Sequence, residues 1–112
     1  MSTFEAVKDP LAVLDWAFNW DDGEPDPAIL VSTWGITGGP DDALKIDFST
    51  IADNLDDQGG VISSQSVCRV VLSGGTPRKA YTVDNHVTRS RLNPDGTNQQ
   101  DSRSMRLRIP DR

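Results

Sequence analysis

Residues 14–20 read Leu14-Asp15-Trp16-Ala17-Phe18-Asn19-Trp20. Large apolar side chains recur at every second position, with Asp15, Ala17 and Asn19 between them. A period of two places Leu14, Trp16, Phe18 and Trp20 on one face of a strand, whereas a helix would scatter them around its circumference. The run stops at Asp21-Asp22-Gly23-Glu24-Pro25-Asp26-Pro27, whose glycine and prolines cannot continue a ladder. The deciding signal is therefore a half-buried strand.

The same reading extends outward. Ile29–Ile36 gives a second strand, with Leu30, Ser32, Trp34 and Ile36 on one face and Val31 and Thr33 on the other. A turn follows at Gly38-Gly39-Pro40-Asp41-Asp42, and Leu44, Ile46 and Phe48 alternate in a third, shorter strand. Residues 49–66 lose the alternation, because Ile51, Leu55, Val61 and Ile62 are spread among aspartates and glycines. They read as a long inserted loop with one helical turn at most. Val67–Ser73 is rich in β-branched residues and ends at Gly74-Gly75-Thr76-Pro77. In Ala80–Arg91, Tyr81, Val83, Asn85 and Val87 share a face. Asn93-Pro94-Asp95-Gly96 carries the residues of a tight turn, proline presetting one position and glycine taking positive φ. It predicts a hairpin into Ser102–Ile109, where Met105, Leu107 and Ile109 point inward and Ser104, Arg106 and Arg108 outward.

Six antiparallel strands, or seven if Phe4–Val7 joins an edge, make an all-β fold, a single small β-sandwich with tryptophans between its sheets. The expected organisation is an N-terminal extension over 1–10 and a sandwich over 11–112, with the loop inserted at about 49–66.

The chain has 112 residues, about one domain. Its net charge of −6 opposes general binding to nucleic acid, which needs a basic surface to displace counterions. No apolar run approaches the roughly 20 residues that span a bilayer, so neither nucleic acid nor membrane is an expected partner. The N-terminus lacks a signal peptide's order of charged then apolar residues. The single Cys68 allows no internal disulfide, and with one His86 there is no cysteine or histidine set for zinc.

Charge is unevenly distributed along the chain. Residues 1–60 carry 13 acids and two lysines, a balance of −11, whereas residues 61–112 balance at +5 and hold all eight arginines. Such segregation is either paired inside one fold or presented as two faces to partners.

Catalytic constellations are missing. His86 alternates to the face opposite Tyr81, Val83 and Val87, and no nucleophile is placed beside it. The pairs Asp21–Asp22, Asp41–Asp42 and Asp56–Asp57 sit in turns, where aspartate caps backbone amides. Neither Asp21–Glu24 nor Asn54–Asp57 has the spacing of a calcium loop. Gly38-Gly39 and Gly74-Gly75 lack the Lys-Ser/Thr and helix of a phosphate cradle. The expectation is no enzyme, no cofactor and no metal.

Arg89, Arg91, Arg103, Arg106 and Arg108 lie on the last two strands and would cluster if those strands pair. They read either as a soluble, edge-blunting strand face or as a basic docking patch for an acidic partner. An acidic surface containing Asp21 and Asp22 on a second copy would serve as that partner.

Several strand motifs resemble one family. These are Leu14-Asp15-Trp16 with Trp20, Ser32-Thr33-Trp34, Val70-Val71-Leu72-Ser73-Gly74-Gly75-Thr76, Tyr81-Thr82-Val83 with Asn85, Val87 and Thr88, and Asp101 through Arg108. In order and spacing they resemble the fiber–tail adaptor proteins of tailed bacteriophages. The resemblance covers about two thirds of the chain; residues 49–66 and Met1–Pro10 depart from the pattern. It implies an immunoglobulin-like sandwich and a non-enzymatic structural protein of the virion tail, made in the cytoplasm of a bacterial host. The implied partners are other phage tail proteins, tube or nozzle and fiber, in a symmetric multi-copy assembly. Two other roles fit the same strands: a head or neck decoration protein, and a carbohydrate- or calcium-binding adhesion domain with exposed tryptophans.

Overall fold

In a computed structural model the chain is all β, described for residues 2–110 and, for side chains, 5–110. Met1 of the expected N-terminal extension lies outside the described residues. Seven strands are present: β1 (Ser2–Val7), β2 (Leu14–Asn19), β3 (Ile29–Gly38), β4 (Leu44–Leu55), β5 (Val61–Gly74), β6 (Ala80–Leu92) and β7 (Asn98–Arg108). They form two sheets, ordered β1-β7-β6-β3 and β2-β5-β4.

The inner faces follow the period of two. Phe18 and Trp20 meet Cys68, Val70 and Leu72 from one sheet, and Tyr81, Val83, Val87, Met105 and Leu107 from the other. Trp20 is fully buried, while Trp16 and Trp34 are partly buried and packed against the core. The Phe18 and Trp34 rings stack with centroids 5.3 Å apart. The predicted turn closes as expected: Asn93 N donates to Thr97 O, Gly96 N donates to Asn93 O, and Gly96 has φ +88°.

The structure corrects four readings. Residues 49–66 are not a loop. They are the paired ends of β4 and β5, closed by a five-residue turn in which Asp56 Oδ1 accepts from Gln58 N and Gly60 N. The hairpin runs past the end of β2, whose last pair is Asn19 with Val67. Both faces of this arm are largely solvated, so no alternation of apolar residues is needed to hold it as a strand.

The strands are also not all antiparallel, because β1 runs parallel to β7. Most of the expected extension is thereby an edge strand. Lys8 continues it, with its backbone N donating to Arg108 O and its buried Nζ donating to Gly74 O.

The other two corrections come from β-bulges, which shift the alternation by one residue. A register shift between Ile29 and Val31 buries Ile29 and leaves Leu30 exposed. A second between Ile46 and Phe48 turns Phe48 outward.

The center of the core is buried and apolar, with Leu72 fully buried. Leu72→Ala should cost about 2–5 kcal/mol, the sum of lost transfer energy and a residual cavity. Urea unfolding measures this as a lower midpoint at unchanged slope; a loss below about 1 kcal/mol would show that the site collapses or is loosely packed.

Candidate functional site

The first group of candidate residues gathers where the β2–β3 loop meets β6. Asp22 and Arg91 form a bidentate pair, with Nη1 donating to Oδ2 and Nη2 to Oδ1, both at 3.0 Å. Arg91 Nε also donates to Pro25 O at 3.0 Å. Arg89 is 5% exposed, and its Nη2 donates to Trp20 O at 2.9 Å and approaches Asp22 Oδ2 at 3.5 Å. Asp21 turns the other way. It accepts from Gly23 N at 3.0 Å and from Asn54 Nδ2 on the β4–β5 arm at 3.5 Å.

These contacts divide the five arginines between bonds within the chain and the outer surface. Arg89 and Arg91 hold the acidic loop of their own chain through Asp22, while Asp21 is taken up by Gly23 and Asn54. Hydrogen bonds from Arg91 hold the Asp22 carboxyl well below the usual carboxylate range, reinforced by Glu24 N and by the charges of Arg91 and Arg89. Asp21 is lowered too, first through Ser63 and then through Gly23 N. Part of the charge split seen in the sequence is therefore paired inside the fold, as it also is at Arg69 and Asp15, 2.8 Å apart.

Trp20 lies beneath this network. Its Nε1 donates to the buried Asn85 Oδ1 at 2.9 Å, and Asn85 Nδ2 donates to Ser32 Oγ and Thr33 O. Arg103 places its guanidinium 4.1 Å from the Trp20 ring centroid and donates Nη1–H to Asn19 O at 2.7 Å. Arg89 lies 5.8 Å from the same ring. Arg103 thus faces inward, unlike Arg106 and Arg108, which are exposed on the outer face of β7. Sequence reading singled out Arg103 but not Asn85 as its companion. The signal was present, since Asn85 shares the face of Tyr81, Val83 and Val87, where an amide needs buried partners.

A second feature lies between the free edges of β1 and β2. A cleft of about 380 Å³ is lined by apolar atoms of Ala6, Trp16, Phe18 and Met105, with Glu5 and Arg103 at its rim. The cleft contains no nucleophile with a base. His86 lies on the outer face of β6, with Nδ1 2.7 Å from Ser102 Oγ and Nε2 2.9 Å from Gln100 Oε1. Among the described residues no group of three or more His, Cys, Asp or Glu is arranged to hold a metal ion.

Residues 8–108 match the family described as podophage GP4 fiber-tail adaptor protein gp77. The chain belongs to this family. It is a structural component of a phage tail, located in the tail of the virion and working among other tail proteins. Comparison with curated proteins gives no match. Among solved structures, the cysteine protease inhibitor EhICP2 from Entamoeba histolytica is similar at 17% identity, with a TM-score of 0.38, over 96% of this chain and 86% of that one. A likeness of that degree carries no weight for fold or activity.

The Asp22–Arg91 pair makes stability depend on pH with a defined sign. Its folded pKa is depressed, so its contribution is full above the ordinary carboxylate pKa of about 4 and is lost as pH falls below it. Asp22→Asn should cost about 1 kcal/mol at pH 7, a small figure because the carboxylate is 40% exposed and screened. The gap from wild type should begin to narrow as pH falls below about 4 and go on narrowing through pH 2 in chemical denaturation; a gap constant over that range would mean the pair contributes nothing.

Proposed function

We propose that this protein is a non-enzymatic adaptor that joins the tail tube or nozzle to the tail fibers, present in several symmetric copies. Membership of the fiber-tail adaptor family over residues 8–108 carries the reading. Its fold is read as immunoglobulin-like. The strand orders β2-β5-β4 and β7-β6-β3 support this, since they correspond to the B-E-D and G-F-C sheets of that fold. Tyr81 near the start of β6 adds support: its hydroxyl accepts from Thr76 N at 2.9 Å and donates to Asp41 Oδ1 at 2.6 Å.

Docking falls to the arginines that the fold leaves outward. Arg106 and Arg108 alternate on the outer face of β7, beside the exposed Glu5 and Val7 of β1. Guanidinium groups in that position suit bidentate pairing with carboxylates of a tail protein. Arg89, Arg91, Asp21 and Asp22 instead fix the shape of the loop end.

The test is binding of the purified protein to nozzle and fiber proteins of its phage. The double variant Arg106→Glu/Arg108→Glu should weaken one of these contacts at least tenfold and leave the free energy of unfolding within about 0.5 kcal/mol of wild type. Binding should also weaken as salt is raised, because exposed charges are screened. Unchanged binding in the variant would remove these arginines from the interface, and failure to bind either tail protein would overturn the adaptor role.

A further inference from the structure

β1 is attached to the sandwich differently from the other strands. β4–β5 and β6–β7 are hairpins, whereas β1 runs parallel to β7, from the opposite end of the chain. Its one ladder neighbor is β7, and β2, the next strand in sequence, belongs to the other sheet. Residues 8–13 alone tie β1 covalently to the body, so connectivity does not decide whose β7 it pairs with.

We propose that β1 of each copy pairs with β7 of a neighboring copy. This deepens the multi-copy reading above and rests on it. The occupant of the β7 edge is then the one seen in the fold, Ser2–Val7 against Arg103–Arg108, and only its chain of origin changes. The same ladder bonds are re-formed, so exchange costs little beyond association itself.

Lys8 keys the strand to its seat. Its side chain is fully buried, with Nζ donating to Gly74 O at 2.7 Å, at the end of β5, and to Asp9 O at 2.8 Å. A buried ammonium is costly unless its hydrogen bonds are made. The strand is thus fixed in register on whichever copy receives it, by a bond that reaches the second sheet.

The link supplies reach. Packed sheets lie about 10 Å apart, whereas five residues such as 9–13 span about 17 Å when extended. The surplus is folded into a turn, in which Ala12 N donates to Asp9 O at 3.0 Å and Leu11 N to Asp9 Oδ1 at 2.9 Å. Opening this one turn lets the link carry β1 to the β7 edge of a copy lying alongside.

The side chains of the link favor that crossing. Leu11 is 92% and Val13 63% exposed, and Val7 and Leu14 are exposed at either end. Folded back on its own chain, this stretch holds four large apolar side chains in water within eight residues. Crossing to a neighbor, it lies in the seam between two copies, where apolar surface is covered.

A disulfide reports which chain supplies the strand. Val7 and Arg108 are ladder partners, both exposed, and the native Cys68 is buried. The double variant Val7→Cys/Arg108→Cys, oxidized as purified protein at high concentration, should run as chains linked to one another on a denaturing gel without reductant. Leu11→Asp should weaken self-association at least tenfold and leave the unfolding free energy measured at low concentration unchanged, since that side chain is in solvent within each copy. Bonds confined to single chains would overturn the exchange. If those chains still sediment as an oligomer, the multi-copy reading stands without it; if they sediment as monomers, that reading falls as well. Absence of any 7–108 bond, or self-association indifferent to Leu11→Asp, would also overturn the proposal.

Discussion

The fold depends on the position of one indole. Trp20 leaves the end of β2, in one sheet, and is fully buried against the other. Its N–H is fixed by Asn85 on β6, its backbone carbonyl by Arg89 on β6, and its ring is covered by Arg103 on β7. Three residues on two strands of the second sheet are thus held to one residue of the first. A buried indole donor and a buried amide each carry a large penalty if unpaired, so the geometry is either complete or costly. Because Arg89 and Arg103 reach inward to this residue, they are committed to the interior. Arg91 follows through Asp22, and the acidic loop 21–26 is held over the same end of the sandwich.

This constraint sets what the surface can do. The segregation of acids before residue 61 and arginines after it is partly cancelled between neighbors in space. The remaining basic groups on β7 are Arg106 and Arg108, facing outward, while the tip of the β4–β5 arm carries Asp53, Asp56 and Asp57 in a stretch without lysine or arginine. A tail component that must meet several partners benefits from that separation. Its loop end is rigidly self-paired, and its outer strand face and projecting hairpin are available.

The strands that pack on one side were legible in the sequence. Trp16, Phe18 and Trp20 gave the period of β2, and Tyr81, Val83, Asn85 and Val87 that of β6, because one face of each is buried and burial enforces alternation. The turn at Asn93–Gly96 was legible because proline and glycine have few conformations to choose from. Leu30 and Phe48 were placed on the wrong faces by bulges, which insert one residue without a compositional sign. The arm over 49–66 was read as a loop because its pairing rests on backbone hydrogen bonds and on the Asp56 turn, not on a buried face. Among the site residues, types were legible and directions were not. Alternation separates Arg106 from Met105, but it does not tell that Asp22 will capture Arg91 at a distance of 69 positions.

Hydrogen exchange at the three indole N–H groups, followed by NMR under native conditions, tests the central claim about Trp20. If the sheets are joined through it, the Trp20 N–H exchanges only when the whole protein unfolds, with the free energy measured by urea denaturation and more slowly than the partly exposed Trp16. Exchange of Trp20 as fast as Trp16, well below the global unfolding free energy, would contradict the account.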